Sequence, residues 1–156
     1  MVTSFLRQGD LAAGGCAGTG PAAQNPVVPW AAASTETNPR RFALSREILA
    51  PNPNNLHPWQ VSLDGDDEVT LFYDTTRALP ETDSFDRQIT ISMVCFLEQM
   101  VVVASARGYA VDVTLFREDT DTGGFDTRPT AYARFNTWAK RDPLFAAIPG
   151  SVAQIG

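Results

Sequence analysis

The chain has 156 residues, of which 44% are hydrophobic and 19% are charged, and its formal net charge is −6 at pH 7. This length and composition indicate one globular domain rather than a disordered segment. The negative charge argues against nucleic-acid binding, which requires clustered lysine and arginine. A single histidine and two distant cysteines give none of the usual zinc-ligand spacings. No uninterrupted apolar run approaches the roughly 18 residues that a membrane-spanning helix needs.

Residues 1–37 are predicted to be a flexible tail or a degenerate export signal. They are rich in Ala, Gly and Pro and show neither a helical nor a strand period. The segment Ala13–Cys16, Ala-Gly-Gly-Cys, resembles a lipoprotein cleavage box in which Cys16 would be lipidated. The apolar stretch before it is short and is interrupted by Gln8 and Asp10, which favours the unstructured tail.

A first helix is predicted from Asn38, whose side chain can cap it, with Pro39 at the first helical position. Pro51 ends this helix, because proline removes a backbone donor and clashes with the preceding turn. The helix therefore leads directly into the loop Ala50–Trp59. Its predicted apolar face has approximate helical spacing and consists of Phe42, Leu44, Ile48 and Leu49.

The loop Ala50–Trp59 reads Ala-Pro-Asn-Pro-Asn-Asn-Leu-His-Pro-Trp and is the most distinctive stretch of the chain. Three prolines make it stiff, while three asparagines supply donors and acceptors and tolerate unusual backbone angles. It is either a connector with asparagine caps or a rigid loop that presents polar groups to a ligand.

The strands Trp59–Leu63 and Val69–Tyr73 are predicted to form a hairpin around an Asp-Gly-Asp-Asp turn. Further strands are expected at Tyr109–Phe116 and Thr130–Phe135, separated by a polar, glycine-containing loop. A short helix capped by Asp142 should run to residue 148, and residues 149–156 show no period.

The longest helix is predicted to run from about Ser84 to Arg107, with Asp83 as its cap and Asp86 as a capping-box-like partner. Apolar residues on most sides indicate a buried central helix, and Gly108 suits the left-handed position after its end. An antiparallel sheet packed on such a helix gives an α+β fold. The main apolar stripe consists of Phe85, Ile89, Met93, Phe96, Met100 and Val103.

Arg87 and Gln88 lie in the first turn of this helix, beside free backbone N–H groups and the positive end of the dipole. That position favours an anion site. The alternative is that Asp86 already satisfies these groups and Arg87 pairs with a surface carboxylate. Arg77, in the preceding loop, is either a surface residue or a contact for a phosphate or flavin.

Side chains alone do not indicate an enzyme. The sequence has no Gly-x-Ser-x-Gly elbow, no P-loop and no dinucleotide fingerprint. Nothing positions a serine beside His57, and the many carboxylates offer no basis for selecting a catalytic pair.

The loop nevertheless resembles the Ala-Pro-Ser-x-x-Asn-x-Gln-Pro-Trp motif of the FMN-dependent nitroreductase family. It is most similar to divergent members with twin-arginine-type export signals, which often read Ala-Pro-Asn-Pro-His-Asn-x-Gln-Pro-Trp. The similarity extends over about residues 38–148 and includes Leu79–Asp83, Asp86–Ile89 and Asp142–Phe145. Five positions match the motif, while an asparagine replaces Ser and a histidine replaces Gln; in order, these seven are Ala50, Pro51, Asn52, Asn55, His57, Pro58 and Trp59.

The resemblance implies a nitroreductase-like α+β fold and hydride transfer from NAD(P)H through FMN to a nitroaromatic or quinone acceptor. The cofactor supplies the redox chemistry, so no catalytic side chain and no metal are implied. The implied FMN contacts are Pro51, Asn52, Pro53, Asn55, His57 and Arg87.

Nitroreductase relatives hold the FMN phosphate with an early arginine-serine segment, which Arg40–Arg46 matches poorly. They also continue beyond the last matching motif, so residues 38–148 are expected to form only the N-terminal part of the domain. A homodimer or a second half would then complete the flavin site, and the uncovered core would expose an apolar patch. The relatives are exported, whereas the degenerate signal here also allows a cytoplasmic location. A flavin-sequestering protein without turnover and an inactive remnant are the alternatives.

Overall fold

The computed structural model describes residues 36–118 and 125–148. The predicted tails, with the Cys16 lipidation box, lie outside these residues. The described chain contains two helices and four strands, which confirms the α+β class. They are α1 (Pro39–Leu44), β1 (Trp59–Asp64), β2 (Glu68–Tyr73), α2 (Arg87–Ser105), β3 (Tyr109–Leu115) and β4 (Pro129–Thr137), with short 3₁₀ turns at Glu47–Leu49, Pro53–Asn55, Thr75–Arg77 and Pro143–Ala146.

The four strands form one antiparallel sheet in the order β1-β2-β4-β3. The predicted hairpin is confirmed: β1 and β2 pair from Trp59 with Tyr73 to Asp64 with Glu68. Gly65 lies in its turn with φ +51°, a backbone conformation that residues other than glycine and asparagine rarely adopt. Strand β4 lies between β2 and β3, so it pairs with the hairpin on one side and with the edge strand β3 on the other.

The hydrophobic core lies between one face of the sheet and α2. The predicted stripe of α2 is buried from Ile89 to Val103. Because side chains alternate across a sheet, each strand contributes every second residue to this face. The strand residues buried there include Trp59, Val69, Leu71, Tyr73, Ala131, Ala133 and Phe135.

The prediction that α2 is buried on most sides was wrong. Ile91 and Val94 are 62% and 55% exposed, because they point away from the sheet. An exposed apolar patch was expected, and that expectation stays a prediction. The helix is long enough, with a mean hydropathy of 1.5, to meet the criteria for a membrane span. Buried core helices of soluble proteins meet the same criteria, and more than half of this helix is buried.

The start of α2 also differs from the prediction. The helix begins at Arg87 rather than Ser84, because Asp86 adopts a left-handed backbone with φ 52°. Phe85 therefore precedes the helix and is exposed. Asp83 does cap it, since its carboxylate accepts a hydrogen bond from Ile89 N at 3.0 Å. The Asp86 side chain makes no capping bond, so the capping-box assignment was wrong. Gly108 follows the helix with φ 79°, as predicted.

Helix α1 is shorter than expected. Asn38 caps it as predicted, because Asn38 Oδ1 accepts hydrogen bonds from the backbone N–H groups of Arg40 and Arg41. The helix ends at Leu44, where Ser45 Oγ donates to Phe42 O at 2.7 Å and offers the backbone an alternative to helical bonding. A separate 3₁₀ turn follows. The buried residues of α1 and the following turn are Arg40, Phe42, Ala43, Glu47 and Ala50, whereas Leu44, Ile48 and Leu49 are half-buried.

Candidate functional site

The loop between α1 and β1 is held in shape by one of its own asparagines. Asn52 Nδ2 donates to Ala50 O at 3.0 Å, and Asn52 Oδ1 accepts from His57 N at 2.8 Å. These two bonds span the loop from one end to the other. Asn54, Asn55 and His57 have φ values of 50°, 53° and 50°, in the left-handed region. Asparagine tolerates this region, whereas histidine adopts it less readily, so the surrounding bonds must hold His57 there.

The turn after β2 clamps the same loop from outside. Arg77 Nη1 donates to the carbonyl oxygens of Leu56 and His57, the second at 3.0 Å. The Arg77 guanidinium also lies 3.3 Å from the Asp74 carboxylate, which itself accepts from Thr76 N at 3.1 Å. Burial opposes ionisation of Asp74, but hydrogen bonds and Arg77 outweigh it, and the pKa of Asp74 is lowered. Arg77 therefore has the structural role of fixing the loop.

His57 is half-buried at the base of the loop. Its Nδ1 atom is buried and has no hydrogen-bond partner among the described residues. Burial lowers the pKa of His57, and the nearby Arg77 charge lowers it further, so the imidazole is neutral at pH 7. The ring meets Trp59 edge-on with centroids 5.4 Å apart, and Trp59 in turn contacts Phe96 of α2 at 5.0 Å. This stack ties the loop to the core.

The remaining predicted loop residues lie at the surface. Asn54 and Asn55 are exposed, and within the described residues their side-chain amides make no hydrogen bond. Pro51 is exposed and Pro53 is half-buried. The structure thus divides the predicted FMN contacts into Asn52, which builds the loop, and Asn55, whose amide faces solvent.

Arg87 lies at the exposed start of α2, with its guanidinium carbon 5.6 Å from the Phe85 ring centroid. The helix N-terminus was interpreted either as an anion site or as already satisfied by Asp86, and it is the Asp83 carboxylate that holds this position. Burial opposes ionisation of Asp83, but bonds from the backbone N–H groups of Ile89, Gln88 and Arg87 outweigh it, and the pKa of Asp83 is lowered. The anion at this N-terminus is therefore a carboxylate of the chain itself, and only the Arg87 side chain remains for a phosphate.

Sequence reasoning missed the roles of two residues in this region, one of which, Arg77, it had interpreted as a surface residue or a phosphate or flavin contact. Arg77 clamps carbonyl groups about twenty residues away in the chain, and no local pattern signals such a contact. Glu47 is 2% exposed, and neither of its carboxyl oxygens has a hydrogen-bond partner among the described residues. Burial raises the pKa of Glu47 well above its usual range. One sequence signal could have predicted this burial. Glu47 lies four residues after Ala43 and three before Ala50, the spacing of residues on one face of a helix.

A shallow depression of about 240 Å³ lies beside the Arg77 turn. This volume is below the roughly 300 Å³ at which ligand pockets usually begin. Within residues 36–118 and 125–148, no group of three His, Cys, Asp or Glu side chains could hold a metal ion. The depression is lined by Gln60, Phe72, Tyr73, Asp74, Thr75, Thr76 and Thr127.

Comparison of the chain with protein-family models and with curated proteins finds no match. The similarity to nitroreductases therefore rests on the motifs quoted above, and FMN binding and oxidoreductase activity stay predictions.

Proposed function

We propose that this chain is an FMN-binding oxidoreductase of the nitroreductase type, in which the loop Pro51–His57 contacts one edge of the flavin. The observation that carries the proposal is the loop itself. Asn52 and Arg77 hold it in a strained, left-handed conformation that leaves the Asn55 amide facing solvent. Strained backbone that the surrounding structure enforces is concentrated at ligand-binding sites.

The polar groups of the loop suit the edge of a flavin ring, which carries both hydrogen-bond donors and acceptors. The Asn55 amide offers both kinds of group. The neutral His57 ring also offers one donor and one acceptor, and its buried Nδ1 has no partner among the described residues. When bound, FMN would supply hydride transfer between NAD(P)H and a nitroaromatic or quinone acceptor. The chain's own contribution is to bind and orient the cofactor.

In this proposal, Asn52 has another role than the FMN contact that the resemblance implied. Asn52 uses its amide to close the loop, so in this proposal it positions Asn55 and His57 rather than contacting the flavin. Arg77 likewise supports the loop through Leu56 and His57. Pro51 and Pro53 restrict the backbone between these supports.

Arg87 is the candidate for the FMN phosphate. Asp83 occupies the helix N-terminus and Arg77 is engaged by the loop, so neither the first-turn N–H groups nor Arg77 is available. The exposed loop can cover only part of a flavin. A second copy of the chain or a further segment is therefore part of the proposal, because ligand sites bury most of their ligand.

Titration of FMN fluorescence with purified protein tests the site. The Asn55→Ala variant should bind FMN about fivefold more weakly, the effect of losing one hydrogen bond of about 1 kcal/mol. Asn136→Ala, which removes an exposed amide bonded to Asp112 on β3, is the matched control and should bind normally. Equal affinity of Asn55→Ala and the unchanged chain would reject the loop as the site.

Riboflavin, which lacks the phosphate, tests the role of Arg87. The Arg87→Ala variant should weaken FMN binding several-fold and leave riboflavin binding unchanged, because only FMN carries the charge that Arg87 contacts. Equal loss for both ligands would contradict a phosphate contact.

Steady oxidation of NAD(P)H with a nitroaromatic acceptor separates the enzyme from a flavin-sequestering protein. Turnover that depends on FMN and falls in Asn55→Ala supports the oxidoreductase. FMN binding without turnover would favour the sequestering alternative.

A further inference from the structure

Cationic side chains cluster near the C-terminal end of α2. The guanidinium carbons of Arg46 and Arg107 lie 4.4 and 4.1 Å from the ring centroid of Phe42. Two cations on one ring concentrate positive charge, and burial together with the charge of Arg107 lowers the pKa of Arg46. This clustering contrasts with the net charge of −6 for the whole chain.

The segment after β4 adds two more cations to this end. Its backbone is bonded just beyond the end of α2, because Trp138 N and Ala139 N donate to Gly108 O at 2.9 and 3.0 Å. Asp142 N donates to Ser105 Oγ at 2.9 Å. Lys140 and Arg141, which lie between these anchors, are exposed, and neither forms an ion pair with another described residue.

The described residues from Trp138 to Ile148 include two cations, Lys140 and Arg141, and one carboxylate, Asp142. Asp142 Oδ1 accepts from Leu144 N at 2.8 Å, so this carboxylate caps the following 3₁₀ turn. The segment therefore carries a local excess of positive charge.

Trp138 projects from the same segment. Its side chain is 94% exposed, and its backbone has φ 86°, a conformation that is uncommon for a bulky residue. Leu144, on the following 3₁₀ turn, is 62% exposed. The chain thus holds a tryptophan and a leucine in solvent among cations, at the cost of backbone strain that is typical of functional positions.

We propose that this basic Trp138 surface, formed by Arg107, Trp138, Lys140, Arg141 and Leu144, binds the surface of an anionic lipid bilayer. Tryptophan prefers the boundary between lipid and water, where its ring is buried and its N–H group stays hydrated. Lysine and arginine are attracted to anionic headgroups. An exposed leucine on the same segment as the tryptophan adds apolar area that a bilayer can bury and a nucleic acid cannot, so the combination favours lipid.

Sedimentation of the full chain with vesicles tests the proposal. Vesicles of phosphatidylcholine mixed with phosphatidylglycerol should bind the protein, and vesicles of phosphatidylcholine alone should bind it much less. Binding should weaken as salt rises, because salt screens exposed charges. Equal binding to both kinds of vesicle, or no binding to either, would overturn the proposal. Binding to single-stranded RNA without binding to anionic vesicles would also overturn it.

Charge variants locate the contact. Lys140→Gln with Arg141→Gln should weaken binding to anionic vesicles by about fivefold for each charge removed, roughly 25-fold together. Arg117→Gln with Arg134→Gln removes the same charge from the other side of the sheet, where both arginines lie near Glu68, and serves as the matched control. An equal loss in the two double variants would assign binding to total charge and contradict the proposed surface.

Trp138→Gly separates insertion from folding. Glycine accepts positive φ without strain, so this variant should unfold at the same or a higher temperature than the unchanged chain. It should nevertheless lose vesicle binding at least fivefold, and the unchanged chain should show quenching of tryptophan fluorescence by brominated lipid. Unchanged vesicle binding by Trp138→Gly would contradict insertion. This test does not depend on FMN binding, so the two proposals can fail separately.

Discussion

The two ends of α2 use polar side chains in opposite ways. At its start, Asp83 caps the helix and Arg77 clamps the neighbouring loop, so each charged group contacts partners within the chain. Near its end, Lys140, Arg141 and Trp138 lie on one segment and are exposed, and neither cation forms an ion pair with another described residue. Charged groups that are satisfied internally fix a conformation, whereas exposed ones remain available to a partner. The first end is therefore expected to control the shape of the loop, and the second to control encounters with an external surface.

Arg77→Ala should give the largest loss of stability at the loop end. The variant loses hydrogen bonds to Leu56 and His57 carbonyls and leaves Asp74 without its cation. Because Arg77 is partly exposed, we expect a loss of about 2 kcal/mol in the free energy of unfolding. Urea denaturation measures it. Arg87→Ala removes an exposed arginine a short distance along the chain and should cost less than about 0.5 kcal/mol. A similar loss for both variants would contradict the clamp.

Glu47→Gln tests the buried carboxyl between the two ends. Glu47 stays protonated in the folded chain at pH values where it would ionise in the unfolded chain. Its contribution to the free energy of unfolding is therefore fully present below the usual carboxyl pKa and is lost as pH rises toward the folded pKa. The slope should approach about −1.4 kcal/mol per pH unit. Denaturation at several pH values should show a flatter profile for Glu47→Gln. Parallel profiles for the two proteins would show that Glu47 is ionised in the fold.

Asn52→Ala should have a smaller effect at the loop end. It removes the bonds to Ala50 O and His57 N that close the loop, at a cost of about 1 kcal/mol. Asn54→Gly is the control, because Asn54 has an exposed side chain and φ 50°, which glycine accepts. It should change stability by less than about 0.5 kcal/mol. If Asn54→Gly proves as destabilising as Asn52→Ala, the loop is not closed by Asn52.

Local patterns predicted most of the elements in this fold. The Asp-Gly turn located the β1–β2 hairpin, and the apolar stripe of α2 located its buried face. The patterns failed where a single backbone angle or a distant contact decides the outcome. The left-handed backbone conformation of Asp86 makes α2 begin later than predicted. The sequence has no glycine at this position that would have indicated such a conformation. The position of β4 between β2 and β3 depends on contacts across the sheet rather than on sequence neighbours.

The candidate site was predictable in part for the same reason. The loop composition identified a rigid polar segment, and its asparagines do occupy unusual backbone angles. The side chain of Asn52 closes the loop by bonding to Ala50 and His57. The backbone conformation between those two residues selects this asparagine, and no local sequence pattern predicts that conformation. Arg77 reaches the loop only because the β1–β2 pairing brings the two segments together.

The most direct test of the central claim is an absorption spectrum of the protein after it is mixed with FMN and passed through a gel-filtration column. The account predicts that a flavin spectrum elutes with the unchanged chain and is weaker in the folded Asn55→Ala variant, in line with its about fivefold lower affinity. Colourless protein from the unchanged chain, or equal colour in both, would contradict a flavin site at the Pro51–His57 loop.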